Sequence, residues 1–195
     1  MPKLAQYKEC TGCMACVDSC SHNALQATLN EEEHIVPLID ESKCVNCKLC
    51  ERVCPVVSKL PYSQSPVASS FAGWAKDKVV RKNSATAGAF SALAQYVFSK
   101  GGVVCGASNV DGVLVKHICI EKVDELTKLQ GSKYTQSNTE GIYKTVSVNL
   151  KQGKLVLFSG TGCQVAGLYG YLGKRKYSGR LITVDLICGG NFVYA

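Results

Sequence analysis

Cys10-Thr11-Gly12-Cys13-Met14-Ala15-Cys16-Val17-Asp18-Ser19-Cys20 and Cys44-Val45-Asn46-Cys47-Lys48-Leu49-Cys50-Glu51-Arg52-Val53-Cys54-Pro55 carry the same spacing, Cys-x-x-Cys-x-x-Cys-x-x-x-Cys. Three thiolates this close together suit three corners of a 4Fe-4S cube, with the fourth cysteine reaching away from them. Structural zinc prefers two Cys-x-x-Cys pairs set well apart, and a third thiol two residues after the second would have no tetrahedral role. A disulfide scaffold would imply secretion, yet Met1 to Lys8 contains no apolar stretch of the signal-peptide kind.

The doubled run resembles that of bacterial two-cluster ferredoxins, in which the last cysteine of each group serves the other cube. That resemblance implies one cluster on Cys10, Cys13, Cys16 and Cys54, and a second on Cys20, Cys44, Cys47 and Cys50. Ser21 stands where a proline often follows the fourth cysteine, and Pro55 keeps it in the second group. Residues 1–58 hold too little apolar side chain to fold without metal, so cluster assembly and folding are expected to be one event. Ala24 to Leu29 and His34 to Ile39 read as short strands around the acidic turn Glu31 to Glu33, a solvated loop. His22 and His34 read as surface residues, because eight thiols already satisfy both cubes.

Length allows one full domain plus a small module, or a small module and part of something larger. With 46% hydrophobic and 19% charged residues, and no stretch near the roughly twenty apolar residues of a membrane helix, a soluble chain without a membrane span is expected. Residues 1–58 carry five basic and eight acidic side chains, a net of −3, leaving 17 basic and seven acidic, +10, for residues 59–195. Such a basic excess suits a phosphate-bearing cofactor or an acidic redox partner. Without a helix-turn-helix, zinc-finger or RNA-binding signature it does not make a nucleic-acid binder. Twelve cysteines without a signal sequence point to a reducing, cytoplasmic setting.

Ser58 to Ser70, with Pro61, Pro66 and five serines, is linker chemistry, so the division expected is 1–58, a linker at 59–70, and a second domain at 71–195. The second part alternates: strands at Phe71 to Trp74, Val103 to Ala107, Val113 to Glu121, Leu155 to Phe158 and Leu181 to Ile187, with helices at Ala87 to Lys100, Asp124 to Leu129, Thr139 to Lys151 and Gln164 to Leu172. The fold class expected is therefore an α+β ferredoxin-like N-terminal module followed by an α/β domain, which the resemblance described below implies to be incomplete.

Three stretches of the second part can carry chemistry. Asn83 to Phe90 places Ser84, Thr86 and Gly88 before a helix, where amides suit an anion, although taken alone the stretch favours a plain N-cap by Ser84 or Thr86. Gly131-Ser132-Lys133-Tyr134-Thr135 offers a phosphate cradle and a face for a flat ring, or a solvated turn. Leu155 to Gln164 feeds a strand into Gly160-Thr161-Gly162-Cys163 at the positive end of a helix dipole. With no histidine near it in sequence to act as a base, Cys163 suits a ligand more than a nucleophile. Cys188, past the last strand, is placed similarly. Cys105 and Cys119 read as inert core cysteines, and His117 as a structural residue.

Taken with the cysteine-rich start, Gly131-Ser132-Lys133-Tyr134, Phe158 to Leu168 (Phe-Ser-Gly-Thr-Gly-Cys-Gln-Val-Ala-Gly-Leu) and Asp185-Leu186-Ile187-Cys188 resemble the coenzyme F420 hydrogenase/dehydrogenase beta subunit family. Gly162 replaces that family's usual proline and Ala87 an expected glycine. The resemblance implies an iron-sulfur flavoprotein oxidoreductase subunit passing electrons between clusters, FAD (or FMN) and a deazaflavin, NAD(P)H or ferredoxin partner. It implies a flavin site lined by Ser84, Thr86, Gly88, Ser132, Lys133 and Thr135, and Cys163 and Cys188 as two ligands of a third 4Fe-4S cluster. That cluster's remaining ligands would be a later Cys-x-x-Cys pair, so a truncated member is expected, completed only by ligands from elsewhere. The alternatives are a simple ferredoxin-type carrier with a non-catalytic docking domain, and an inactive gene fragment.

Overall fold

In the computed structural model, residues 1–58, 69–112 and 114–190 are described. The linker expected at 59–70 lies, except for Ser69 and Ser70, outside the described residues, as does the expected strand start at Val113.

The two cysteine groups fold alike because their sequences repeat. In each, the residues flanking the second cysteine take positive φ (Gly12 63° and Met14 54°; Asn46 53° and Lys48 59°), and a short helix follows: α1 (Ala15–Ser19) and α2 (Leu49–Val53). Between them β1 (Leu25–Leu29) and β2 (Ile35–Ile39) form an antiparallel hairpin with Leu25 opposite Ile39. Met14, Val17, Leu25 and Ile35 pack with Cys16 and Cys50 in a small core of their own.

The rest is mixed α/β. After α3 (Lys78–Lys82) and α4 (Ala89–Ser99), β3 (Val103–Val110), β4 (Leu114–Ile120), β5 (Leu155–Thr161) and β6 (Arg180–Leu186) form one sheet in the order β4-β3-β5-β6. β4 runs antiparallel to β3, while β3, β5 and β6 are parallel. The strands alternate their burial between two faces. Val103, Cys105, Val156 and Phe158 face α5 (Ile142–Lys151) and α6 (Gly162–Leu172). Val104 and Leu157 face α4 and the 3-10 turn Val123–Lys128. A sheet covered on both sides needs apolar residues at successive positions, which explains the near-continuous runs in β3 and β5.

Several elements differ from the sequence-based expectation. Phe71 to Trp74 is not a strand; Phe71 is 91% exposed and Trp74 66%, so the run has no sheet to pair with, and the guanidinium of Arg81 lies over the Trp74 ring. The helix expected from Thr139 begins at Ile142, because Asn138 to Gly141 form the turn that starts it. β3 extends to Val110, three residues past Ala107, since its outer half pairs with β4 alone. Cys105 and Cys119, expected to be inert, stand directly opposite in register and form a disulfide. No described helix is long and apolar enough to cross a membrane.

Candidate functional site

The eight N-terminal cysteines ring two separate small pockets. Cys10, Cys13, Cys16 and Cys54 line one, with Leu4, Met14, Pro37 and Val56. Cys20, Cys44, Cys47 and Cys50 line the other, with Leu25, Ile39, Val45 and Leu49. Each group of four thus draws three cysteines from one run and one from the other. Burial pushes the Cys13 thiol up to about 12 and raises those of Cys16, Cys10 and Cys50, so these side chains resist ionising until positive charge is supplied beside them. Among the described residues no three His, Cys, Asp or Glu side chains converge on a point where one ion would sit. Four thiols set around each pocket are a donor set that suits a cage gripped from its corners.

The pocket of Cys10 and Cys13 is the inner one. Cys13, Ala15 and Val53 belong to the same apolar core as β3, β5, α5 and α6. Hydrogen bonds between side chains and backbone fix the contact. Gln136 pairs with Ile35 in both directions (Ile35 N to Oε1 2.6 Å, Nε2 to Ile35 O 3.0 Å), and Thr139 Oγ1 and Tyr143 Oη donate to Cys13 O at 2.9 and 2.7 Å. Asp18, between Cys16 and Cys20, is buried and accepts from Gly141 N (2.6 Å) and Tyr143 N (2.9 Å), capping α5 from another part of the chain. Cys163 opens α6 beside this pocket, within electrostatic reach of Cys10 and Cys13. A capping box of Thr161 and Gln164 starts that helix, and Thr161 Oγ1 lies 3.1 Å from Cys163 Sγ. Cys188 follows β6, the strand next to β5, and is exposed. The outer pocket includes the exposed Cys47.

A cavity of about 400 Å3 opens at the carboxyl ends of the parallel strands. It brings together all six residues Ser84, Thr86, Gly88, Ser132, Lys133 and Thr135, from two stretches more than forty positions apart. Gly88 takes φ 76° as the residue before α4, and a Cβ there would come within 3.0 Å of Ala75 Cβ. No side chain caps α4, so its first amides are left toward the cavity. Ser84, a candidate cap, instead donates to Val80 O (2.7 Å) and meets Ser91 Oγ (2.9 Å). Lys133 turns its ammonium to the carbonyls of Gln130 (2.7 Å), Gly131 (3.2 Å) and Lys128 (3.4 Å), and burial lowers its pKa.

His117, Ser137, Ser159 and Gln164 also line the cavity, and sequence reading passed over them in this role. His117 lies opposite Ala107 and stacks on Phe158 at 5.4 Å between ring centroids. Strand alternation alone put it on a buried face. Its nearness to Ser137 depends on an isolated bridge between Lys116 and Asn138 that has no sequence signature.

Comparison with known families finds two matches: the 4Fe-4S dicluster domain over residues 9–57, and the N-terminal part of the coenzyme F420 hydrogenase/dehydrogenase beta subunit over residues 70–144. The second ends before Cys163 and Cys188. No curated protein matches. Among solved structures, a chain of the F420-reducing NiFe hydrogenase complex from Methanosarcina barkeri is similar, with 25% identity and a TM-score of 0.51 over 62% of this chain and 44% of that one. The chain therefore spans less than half the length of that protein. Two adjoining matches, one to the paired cysteine runs and one to the cavity-bearing part, together with that structural likeness, support a relation of residues 70–144 to the coenzyme F420 hydrogenase/dehydrogenase beta subunit family, behind a 4Fe-4S dicluster domain.

Proposed function

We propose that the chain is an iron-sulfur flavoprotein subunit of a cytoplasmic oxidoreductase, passing electrons between two 4Fe-4S clusters and a flavin, FAD or FMN, held in the cavity. A deazaflavin, NAD(P)H or a ferredoxin would be the outer partner. The observation that carries this reading is the junction. The segment from Gly131 to Tyr143 lines the cavity at its start and hydrogen-bonds to Ile35 and Cys13 beyond it. One short piece of chain thus spans cavity and cysteine pocket.

Each set of residues has a definite task. Cys10, Cys13, Cys16 and Cys54 would hold the inner cluster, and Cys20, Cys44, Cys47 and Cys50 the outer one. The uncapped start of α4, with Ser84, Thr86 and Gly88, would bind the flavin's phosphate by its amides. Ser132 and Thr135 would supply hydroxyls to the same ligand. Lys133 would add positive charge there while bracing the turn through its carbonyl contacts. A cavity of about 400 Å3 is within the size range of cofactor sites. A flavin, when bound, accepts an electron pair from a hydride donor and returns electrons singly to clusters. Cys163 and Cys188 remain candidates for two ligands of a further cluster, because β5 and β6 bring both to one sheet edge.

Anaerobic reconstitution with iron and sulfide, followed by FAD titration, tests the reading. The expected result is about eight irons per chain and saturable quenching of FAD fluorescence. Bound zinc without iron would remove the cluster assignment, and fluorescence unchanged at high protein concentration would leave the plain ferredoxin-type carrier.

A further inference from the structure

The hydrogen-bond polarity of one cavity wall can be assigned atom by atom. His117 Nε2 lies 3.1 Å from Ser159 O; a carbonyl only accepts, so this nitrogen carries the hydrogen. The other ring nitrogen, Nδ1, lies 2.7 Å from Ser137 Oγ. The ring is buried, with its pKa held down to about 4 by desolvation, and no acidic side chain forms an ion pair with it among the described residues. Lys133 is the other titratable side chain of the described lining, and its ammonium is turned to the carbonyls of Gln130, Gly131 and Lys128. A neutral ring with hydrogen on Nε2 leaves Nδ1 as a bare acceptor, so the Ser137 hydroxyl must donate to it. That hydroxyl has one hydrogen. Once it is engaged, Ser137 Oγ can only accept from whatever else approaches it.

Ser137 is also the part of the lining nearest the cysteines along the chain. It sits between Gln136, which pairs with Ile35, and Thr139, which donates to Cys13 O, and its carbonyl accepts from Gln164 Nε2 at 3.4 Å. A ring exchanging electrons with the inner cysteine pocket would lie on this side. Resting on the flavin reading above, we infer that Ser137 Oγ, oriented by His117, is an acceptor-only contact for the flavin ring nitrogen N5, which carries a hydrogen when reduced and is a bare acceptor when oxidised. The cavity therefore binds reduced flavin, which carries the added ring hydrogen, more tightly than oxidised flavin. Ser137 is the contacting residue and His117 the positioning one.

The test uses cluster-loaded protein under anaerobic conditions with FAD as the probe, added oxidised or reduced beforehand. The wild type is expected to bind the reduced form roughly fivefold more tightly, the worth of one ordinary hydrogen bond. Ser137→Ala should bring the two affinities together and Ser137→Thr should keep them apart. His117→Phe retains a ring against Phe158 but frees the Ser137 hydrogen, so the preference should shrink or reverse. Nitrogen-15 NMR of imidazole-labelled wild type gives a readout independent of flavin: with three histidines in the chain, the His117 signals are expected to show hydrogen on Nε2 and a bare Nδ1 between pH 6 and 8 (an experimental range around the ordinary histidine value). Hydrogen on Nδ1, or equal ratios of the two affinities in wild type and Ser137→Ala, overturns the inference while leaving the flavin site standing. Binding of neither form overturns the flavin reading itself and the selectivity drawn from it.

Discussion

Asp18 shows how one residue joins two parts of this chain. Its carboxylate is buried and receives the first amides of α5, Gly141 N at 2.6 Å and Tyr143 N at 2.9 Å. Asp18→Ala would leave these donors buried without a partner, so we expect a loss of about 2–4 kcal/mol, measured by denaturant unfolding of the cluster-loaded protein. Asp18→Asn, which keeps an acceptor, should lose less. His117 supplies a pH dependence. Its pKa is lowered by burial from 6.5 to about 4, so the unfolded chain binds a proton more readily than the folded one. Its contribution to stability is therefore complete above about pH 6.5 and lost as pH falls toward about 4, with a slope of up to about 1.4 kcal/mol per pH unit. Unfolding free energies of wild type and His117→Phe, compared between pH 7 and 5 (spanning most of that window), should converge on the acid side.

At the scale of elements, α6 couples the sheet to the cysteines. Gly167 lies on the face that meets α1, and a Cβ there would come within 3.0 Å of both Cys13 Sγ and Tyr143 Oη. Gly167→Ala is expected to push the Cys13 run outward, destabilising the protein by about 1–3 kcal/mol as an overpacked core does. It should also slow electron exchange between flavin and clusters, measured by stopped-flow absorbance; an unchanged rate would mean that this close approach is dispensable. Most helices and strands of the second part were legible from periodicity, because each has an apolar stripe or run. The short helices α1 and α2 were not, since five residues carry no period. α5 started later than its apolar pattern suggested because its cap, Asp18, lies more than a hundred residues away.

At the scale of the molecule, the two cysteine pockets differ in setting: Cys13 is buried against the sheet domain's core, and Cys47 is exposed. Cys47→Ser is expected to lower iron from about eight toward about four per chain, one cube of two. The sheet part should stay folded, as read by circular dichroism. Cys13→Ser should disturb both the clusters and the docking of the sheet part, giving an added loss of thermal stability in calorimetry. A similar loss in both variants would contradict the inner and outer assignment. Sequence by itself determined the kind of chemistry. Cysteine spacing is local, so a run of eleven residues suffices to mark three candidate ligands of a 4Fe-4S cluster, and the glycine and hydroxyl stretches were recognisable one at a time. Only the tertiary structure decided which stretches meet. That Ser84 and Lys133 line one cavity, that Cys163 opens its helix beside Cys13, and that His117 orders Ser137 all follow from strand order and helix packing. Those depend on long-range apolar burial summed over the whole chain, which leaves no mark at any single position in the sequence.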